Sequence, residues 1–261
     1  MKMSDFSVPF DVIDCHIHPG HYRNCFDVVN DEDTFFDDLR RAGVKRACGS
    51  VVKHVDFESD WSDIEYCNET AMDFYRRYPD FYIPAMQVHA SYVEESCREI
   101  EKRHAQGVRW VGELVNYIMR TGRYASRGMM QIYELCRDLG MTVNLHNDGD
   151  ISEIEPILKA FPTLNVVVAH PHDCTSAKSR FEYISRFPNA YMDISGNGLQ
   201  RYGMLRWAIN CCGKEKILFG SDYPINNVAM YILGVMYERL TDDERRAVFS
   251  ENFIRLTGIK C

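Results

Sequence analysis

The sequence predicts one domain over residues 1–261, folded as a (β/α)8 TIM barrel. Three observations carry that prediction. Strand-like and helix-like runs alternate eight times without a linker or a shift in composition, and alternation of this kind makes a parallel sheet. A length of 261 residues suits eight such repeats closed on themselves. Metal-capable side chains recur at the ends of the strand-like runs, and a closed barrel brings all those ends to one face. An open, doubly wound sheet fits less well, because no glycine-rich phosphate loop follows any strand.

The first strand is Val12-Ile13-Asp14-Cys15-His16-Ile17-His18. β-Branched residues lead into it and Pro19-Gly20 stops it. Residues two apart share one side of a strand, so His16 and His18 project together, at a spacing that can grip one ion. Asp14 shares their side, one step deeper, and is placed to orient one of them. Cys15 and Ile17 face the other way, toward an apolar layer. The polar and aromatic stretch 21–30 reads as a loop over the strand end.

A helix over 32–42 carries Phe35, Phe36 and Leu39 on one face and ends at Gly43. The second strand is 45–52. A helix over 60–78 stops at Pro79, and the third strand is 81–89. Ser91 and Glu94 form the pattern of a capping box for the next helix, which Gly107 closes. The fourth strand, 108–113, ends on Glu113.

Residues 114–127 read as irregular. A helix over 129–139 leads to the fifth strand, 141–146. Asp150 is placed to cap a helix over 151–161, and the sixth strand is 165–170. A helix over 179–187 ends at Pro188, and the seventh strand is 190–195. A helix over 199–212 leads to the eighth strand, 216–222. Two closing helices, 228–240 and 242–256, finish the chain, the second capped by Thr241 with Glu244. The first of them is apolar nearly all round, so it is either buried or part of a homodimer interface.

Composition excludes several classes. Hydrophobic residues at 46% and charged residues at 26% are ordinary for a globular protein. A net charge of -8 argues against nucleic acid as the main partner. No apolar run approaches the ~20 residues that cross a bilayer, and the first residues lack a signal peptide's apolar core, so a cytoplasmic location is expected. The ten cysteines are scattered without any Cys-x-x-Cys pair, and read as reduced thiols.

The donors at strand ends are His16 and His18, Glu113, His146, His170 and Asp222. They belong to the first, fourth, fifth, sixth and eighth strands. Histidine and carboxylate ligands suit zinc and similar divalent ions. With the Asp-x-His-x-His start, the later strand-end histidines, the Gly220-Ser221-Asp222-Tyr223-Pro224 segment and the closing Glu251-Asn252-Phe253-Ile254-Arg255-Leu256 run, nearly the whole chain resembles the amidohydrolase superfamily. The similarity is to its amidohydrolase-related branch, also called amidohydrolase 2.

That resemblance implies that His16, His18, His146 and Asp222 bind metal directly. It implies that His170 either binds a second ion or acts as an acid or base beside the first. Asp222 would also accept a proton from water. The chain departs from many two-metal members in offering Glu113, not a lysine, on the fourth strand; a glutamate there is used in the TatD-like branch. One or two ions per chain are expected. If there are two, His16, His18 and Asp222 hold one, His146 and His170 hold the other, and Glu113 bridges them. Zinc is the default, with manganese and iron as alternatives. The implied enzyme is a metal-dependent hydrolase of a small amide, ester, lactone or phosphoester. The alternative is a metal-dependent, non-oxidative decarboxylase of a small carboxylic acid. The His170-Pro171-His172 turn replaces the glycine-rich turn common after that histidine in the family, which argues against carrying over the decarboxylases' substrate.

Further residues follow strand ends and are candidates for the substrate pocket: His54, His89, His21 and His172. Arg23, Lys53, Arg120, Arg123, Lys178 and Arg180 could hold a substrate carboxylate or phosphate.

Overall fold

The computed structural model describes residues 8–20, 31–147 and 151–259. Eight parallel strands follow one another around a nearly closed barrel, in sequence order. They are β1 (Val12–Ile17), β2 (Val44–Gly49), β3 (Tyr82–Met86), β4 (Trp110–Leu114), β5 (Thr142–Leu145), β6 (Val166–Val168), β7 (Ala190–Asp193) and β8 (Ile217–Leu218). Each of the eight runs named from sequence overlaps one of them; β2 begins one residue before its run and β4 ends one residue after. The seam is made by β1 and the short β8: Cys15 N–H donates to Phe219 O at 2.9 Å, and Ile17 bridges Tyr223.

The helices are α1 (Glu32–Arg41), α2 (Trp61–Arg77), α3 (Val93–Ala105), α4 (Asn116–Met119), α5 (Arg127–Asp138), α6 (Glu155–Ala160), α7 (Cys174–Ile184), α8 (Met204–Cys212), α9 (Val228–Tyr237), α10 (Asp242–Arg246) and α11 (Asn252–Thr257). Phe35, Phe36 and Leu39 of α1 are buried, as the periodicity requires. The box of Thr241 and Glu244 caps α10.

Several boundaries differ from the sequence reading. The expected box at Ser91 and Glu94 is absent, because α3 starts one residue after Tyr92 and has no side-chain cap. A capping box occurs instead at Asp60 and Asp63 of α2. Asp173 caps α7, which therefore begins earlier than expected. The helix expected over 242–256 is α10 and α11 joined by a π-helical segment, Ala247–Glu251. Asp150 lies outside the described residues.

Two apolar cores result. The larger lies between strands and helices and includes Val12, Phe36, Ile100, Val143 and Ile232. The smaller draws Ile13, Cys15, Cys48, Ile83, Trp110, Val167, Tyr191 and Leu218 from seven of the strands, with Phe253 and Leu256 of α11. Side chains of so many strands can meet only inside the barrel. Trp110 and Phe253 pack there with ring centroids 5.3 Å apart, so α11 closes the barrel's floor. Cys15 belongs to this inner cluster and Ile17 to the outer one, so the shared layer expected for them does not form. The irregular β1–β2 register, which shifts between Asp14 and Ile17, breaks the simple alternation.

Candidate metal centre

The six strand-end donors come together at one end of the barrel, and all six are buried. His16 and His18 project from the end of β1. Glu113 is reached through Gly112, where a Cβ would stand 2.2 Å from Asn144 O, so only glycine lets β4 lie this close to β5. His146 follows β5. His170 and Asp222 follow β6 and β8 with left-handed backbones, φ 67° and 63°. Non-glycine residues seldom adopt that conformation, and it concentrates at functional sites.

The donor atoms form two groups that share one carboxylate. In the first, His16 Nε2 and His18 Nε2 are 3.2 Å apart, and Glu113 Oε2 lies 3.3 and 3.2 Å from them. Asp222 Oδ1 lies 3.6 and 3.5 Å from the same two nitrogens. In the second, Glu113 Oε1 is 2.9 Å from His146 Nδ1 and 3.2 Å from His170 Nε2, with 3.1 Å between those nitrogens. Four ligands about 2.1 Å from a tetrahedral ion stand about 3.4 Å from one another. The spacing therefore fits a divalent ion in the first group, and the second offers three donors at similar spacing.

The surrounding bonds fix which ring nitrogens carry protons. A carboxylate and a backbone carbonyl only accept hydrogen bonds. His16 Nδ1–H therefore donates to Asp193 Oδ2 at 3.0 Å, and His18 Nδ1–H to Ser50 O at 3.2 Å. Ser195 Oγ–H is turned to Asp193 Oδ1, so Ser195 Oγ accepts from His170 Nδ1–H at 3.0 Å. In each case Nε2 is left with a lone pair facing the donor group, as a metal ligand requires.

The electrostatics call for positive charge among the donors. Burial opposes charge on Glu113, yet His16 and His146 beside it hold its carboxyl well below the usual range. Burial likewise lowers the His16 imidazole, and Glu113 and Asp193 more than reverse that. Asp193, buried and against His16, is held at about 2. A buried site this rich in acceptors needs positive charge to be stable.

The carboxylate that orients His16 is Asp193 of β7, not Asp14. Asp14 accepts from the backbone N–H groups of His16 and Ser221, at 3.1 and 3.0 Å, and from Ser221 Oγ. These bonds tie β1 to the end of β8, and burial pushes Asp14 up to about 7. Sequence reading missed Asp193 and Ser195. The available signal was an aspartate inside the apolar run of the seventh strand.

A cavity of ≈ 220 Å³ opens above the donors. His18, Glu113, His146, His170 and Asp222 form its floor, and Val115, Tyr117, His172, Asn197 and Ile225 stand in its wall. Of the other candidates, His172 alone lines it among the described residues. His89 is built into the turn before α3, its Nδ1 accepting from Ser91 N at 3.0 Å. His54 is half-buried and Arg120 exposed, both outside this wall. Lys53 pairs with Asp63 and Arg123 with Glu153. Arg180 is buried and grips Asn147, so it serves the scaffold. His21 and Arg23 lie outside the described residues.

The sequence matches the amidohydrolase family over residues 13–259. Against curated proteins it has no match. Solved structures share the fold at low identity. A 2,6-dihydroxybenzoate decarboxylase from Rhizobium is 15% identical, with TM-score 0.73, over 95% of this chain and 99% of the other. A 5-carboxyvanillate decarboxylase from Novosphingobium aromaticivorans, with bound manganese and a nitrobenzoic acid, is 13% identical, with TM-score 0.71, over 96% and 97%. A putative amidohydrolase from Staphylococcus aureus is 15% identical, with TM-score 0.70, over 96% and 100%. The family match spans nearly the whole chain, and the chain belongs to the amidohydrolase family.

Proposed function

We propose that this member of the amidohydrolase family is a two-metal hydrolase of a small ester, lactone, amide or phosphoester. One observation carries the reading: the two oxygens of Glu113 face two separate groups of donors. His16, His18 and Asp222 would hold one divalent ion, His146 and His170 the other, and Glu113 both. Bound there, such ions bring the pKa of water toward 7 and polarise the bond under attack. Asp222 is the proton carrier. Its carboxylate lines the cavity, and Asn226 Nδ2 donates to Oδ2 at 3.3 Å. From that position it can take a proton from attacking water and return it to the leaving group. Asp193, Ser195 and the Ser50 carbonyl hold the histidine rings in the required tautomers. The donor set suits a divalent ion. Zinc, the default from sequence, gains no support from the solved relatives, where manganese is the ion named.

A second reading has its own observation. The solved structures resembling this chain include decarboxylases of hydroxybenzoates, and they favour decarboxylation over hydrolysis. The arrangement of donors favours hydrolysis, since loss of carbon dioxide needs no attacking water and no second ion. A substrate panel separates the two. Protein loaded with manganese or zinc is given lactones, aryl esters, phosphoesters and hydroxybenzoates. Acid release from an ester, lactone or phosphoester supports the first reading. Carbon dioxide release from a hydroxybenzoate, with the esters inert, replaces it by the second.

A further inference from the structure

Beside the metal cavity lies a second cavity of ≈ 200 Å³, and His172 lines both. The segment after β7 also borders both: Gly196 and Asn197 face the first cavity and Gly198 the second. Ala177 of α7 and Met204 and Trp207 of α8 give the second cavity apolar walls, and Lys178 and Arg201 stand at its edge. Neither cation is in an ion pair or side-chain hydrogen bond among the described residues. By contrast Arg206, on the same helix as Trp207, pairs with Glu244 at 2.8 Å.

Two further points bear on what fills this space. Neither cavity alone reaches the ~300 Å³ at which small-molecule sites usually begin, whereas the two joined do. Among the described residues, the metal cavity has no lysine or arginine in its wall. Apart from bound metal ions, an acidic group on a substrate would find its cations in the second cavity, at Lys178 and Arg201.

We propose that the cavity between α7 and α8 is the outer half of the substrate site, and that it takes an apolar body ending in a carboxylate held by Lys178 and Arg201. The assignment rests on the metal-site reading for which end of the substrate reacts. It adds the substrate class: an acid whose carboxylate lies away from the bond that breaks. The flat wall of Trp207 suits an aromatic or branched alkyl body. His172 stands where the two halves join. Its Nε2–H donates to Asn147 O at 2.8 Å, and Arg180 holds Asn147 in turn.

The test uses 2-naphthoate and its neutral isostere 2-naphthamide, bound to manganese-loaded protein and followed by calorimetry. The naphthoate should bind about tenfold more tightly, the scale that two exposed charge pairs supply. In the Lys178→Ala/Arg201→Ala double variant that preference should vanish. Both positions are exposed, so the fold is not at stake. In His16→Ala, which removes a metal donor, the preference should persist. Equal binding of the two probes, or no binding at millimolar concentration, overturns the assignment. So does a preference kept by the double variant but lost in His16→Ala, which would put the carboxylate on the metal. The metal reading fails separately, if His16→Ala retains its full metal content.

Discussion

The two ends of the barrel are built by the same strands and do opposite things. At the floor, Ile13, Trp110, Val167, Leu218 and Phe253 fill the interior with apolar volume. At the mouth, a few residues further along those strands, four histidines and three carboxylates are buried almost as completely. The floor needs only close packing. The mouth holds charges in a low-dielectric place, on backbones that at His170 and Asp222 are themselves uncommon. Such an arrangement is not the most stable use of these positions. The difference teaches that the floor stabilises the fold while the mouth holds donors in place for an ion.

The largest expected effects lie one at each end. Asp222→Asn should lower kcat by roughly 10²–10⁴-fold, because an amide cannot accept the proton at neutral pH. Metal content and melting temperature should stay close to wild type. Near-full activity of this variant would remove Asp222 from the proton's path. Trp110→Ala should do the reverse, lowering stability by about 3–5 kcal/mol through the cavity left beside Phe253. A loss of activity at the temperatures where that variant is still folded would show that the two ends are not separable. Urea melts with parallel activity assays give both answers.

Much of this contrast was legible in the sequence. The strands announce themselves by β-branched runs that glycine or proline stops, and strand-end donors are recognisable by residue type. Glu113 and Asp222 were named in that way. Asp193 was not, because its role depends on a neighbour across the barrel, His16, which is 177 positions away. Asp14 misled for the complementary reason. Strand parity places it beneath His16, but the irregular register of β1 turns it to Ser221. Of the second cavity only Lys178 and His172 were named from sequence: its walls come from α7, α8 and the segments before them, where sequence periodicity fixes no geometry.

Glu113→Gln sharpens the contrast within the mouth itself. The amide keeps one carbonyl oxygen and exchanges the other for a donor, so it can serve one donor group but not both. Saturating metal should then fall from about two ions per chain to about one, with the His146 and His170 group or its partner emptied. Titration followed by elemental analysis measures this. A wild-type value that never exceeds one ion, unchanged in the variant, would leave Glu113 as a mere hydrogen-bond partner of His146.

The smallest effect is expected from Asp193→Asn, which sits between the two ends, two residues above Tyr191 of the floor. Its two oxygens accept from four donors: Oδ2 from His16 Nδ1 and Asn144 Nδ2, and Oδ1 from Ser195 N and Oγ. An asparagine has one acceptor oxygen for those two sides. If its oxygen faces Ser195, its NH₂ faces His16 and Asn144. His16 must then accept at Nδ1 and carry its proton on Nε2, where the metal belongs. If the oxygen faces His16, the NH₂ meets the Ser195 N–H. Either arrangement leaves a donor against a donor. Metal affinity should therefore drop by about 10–100-fold, the usual cost of removing a ligand's outer carboxylate. The fold should persist, since the floor cluster is untouched, and high metal should restore most of the activity. Competition with a chelator of known affinity reads the change. An unaltered affinity would mean that His16 keeps its tautomer without Asp193, and that Ser195 alone suffices to orient it.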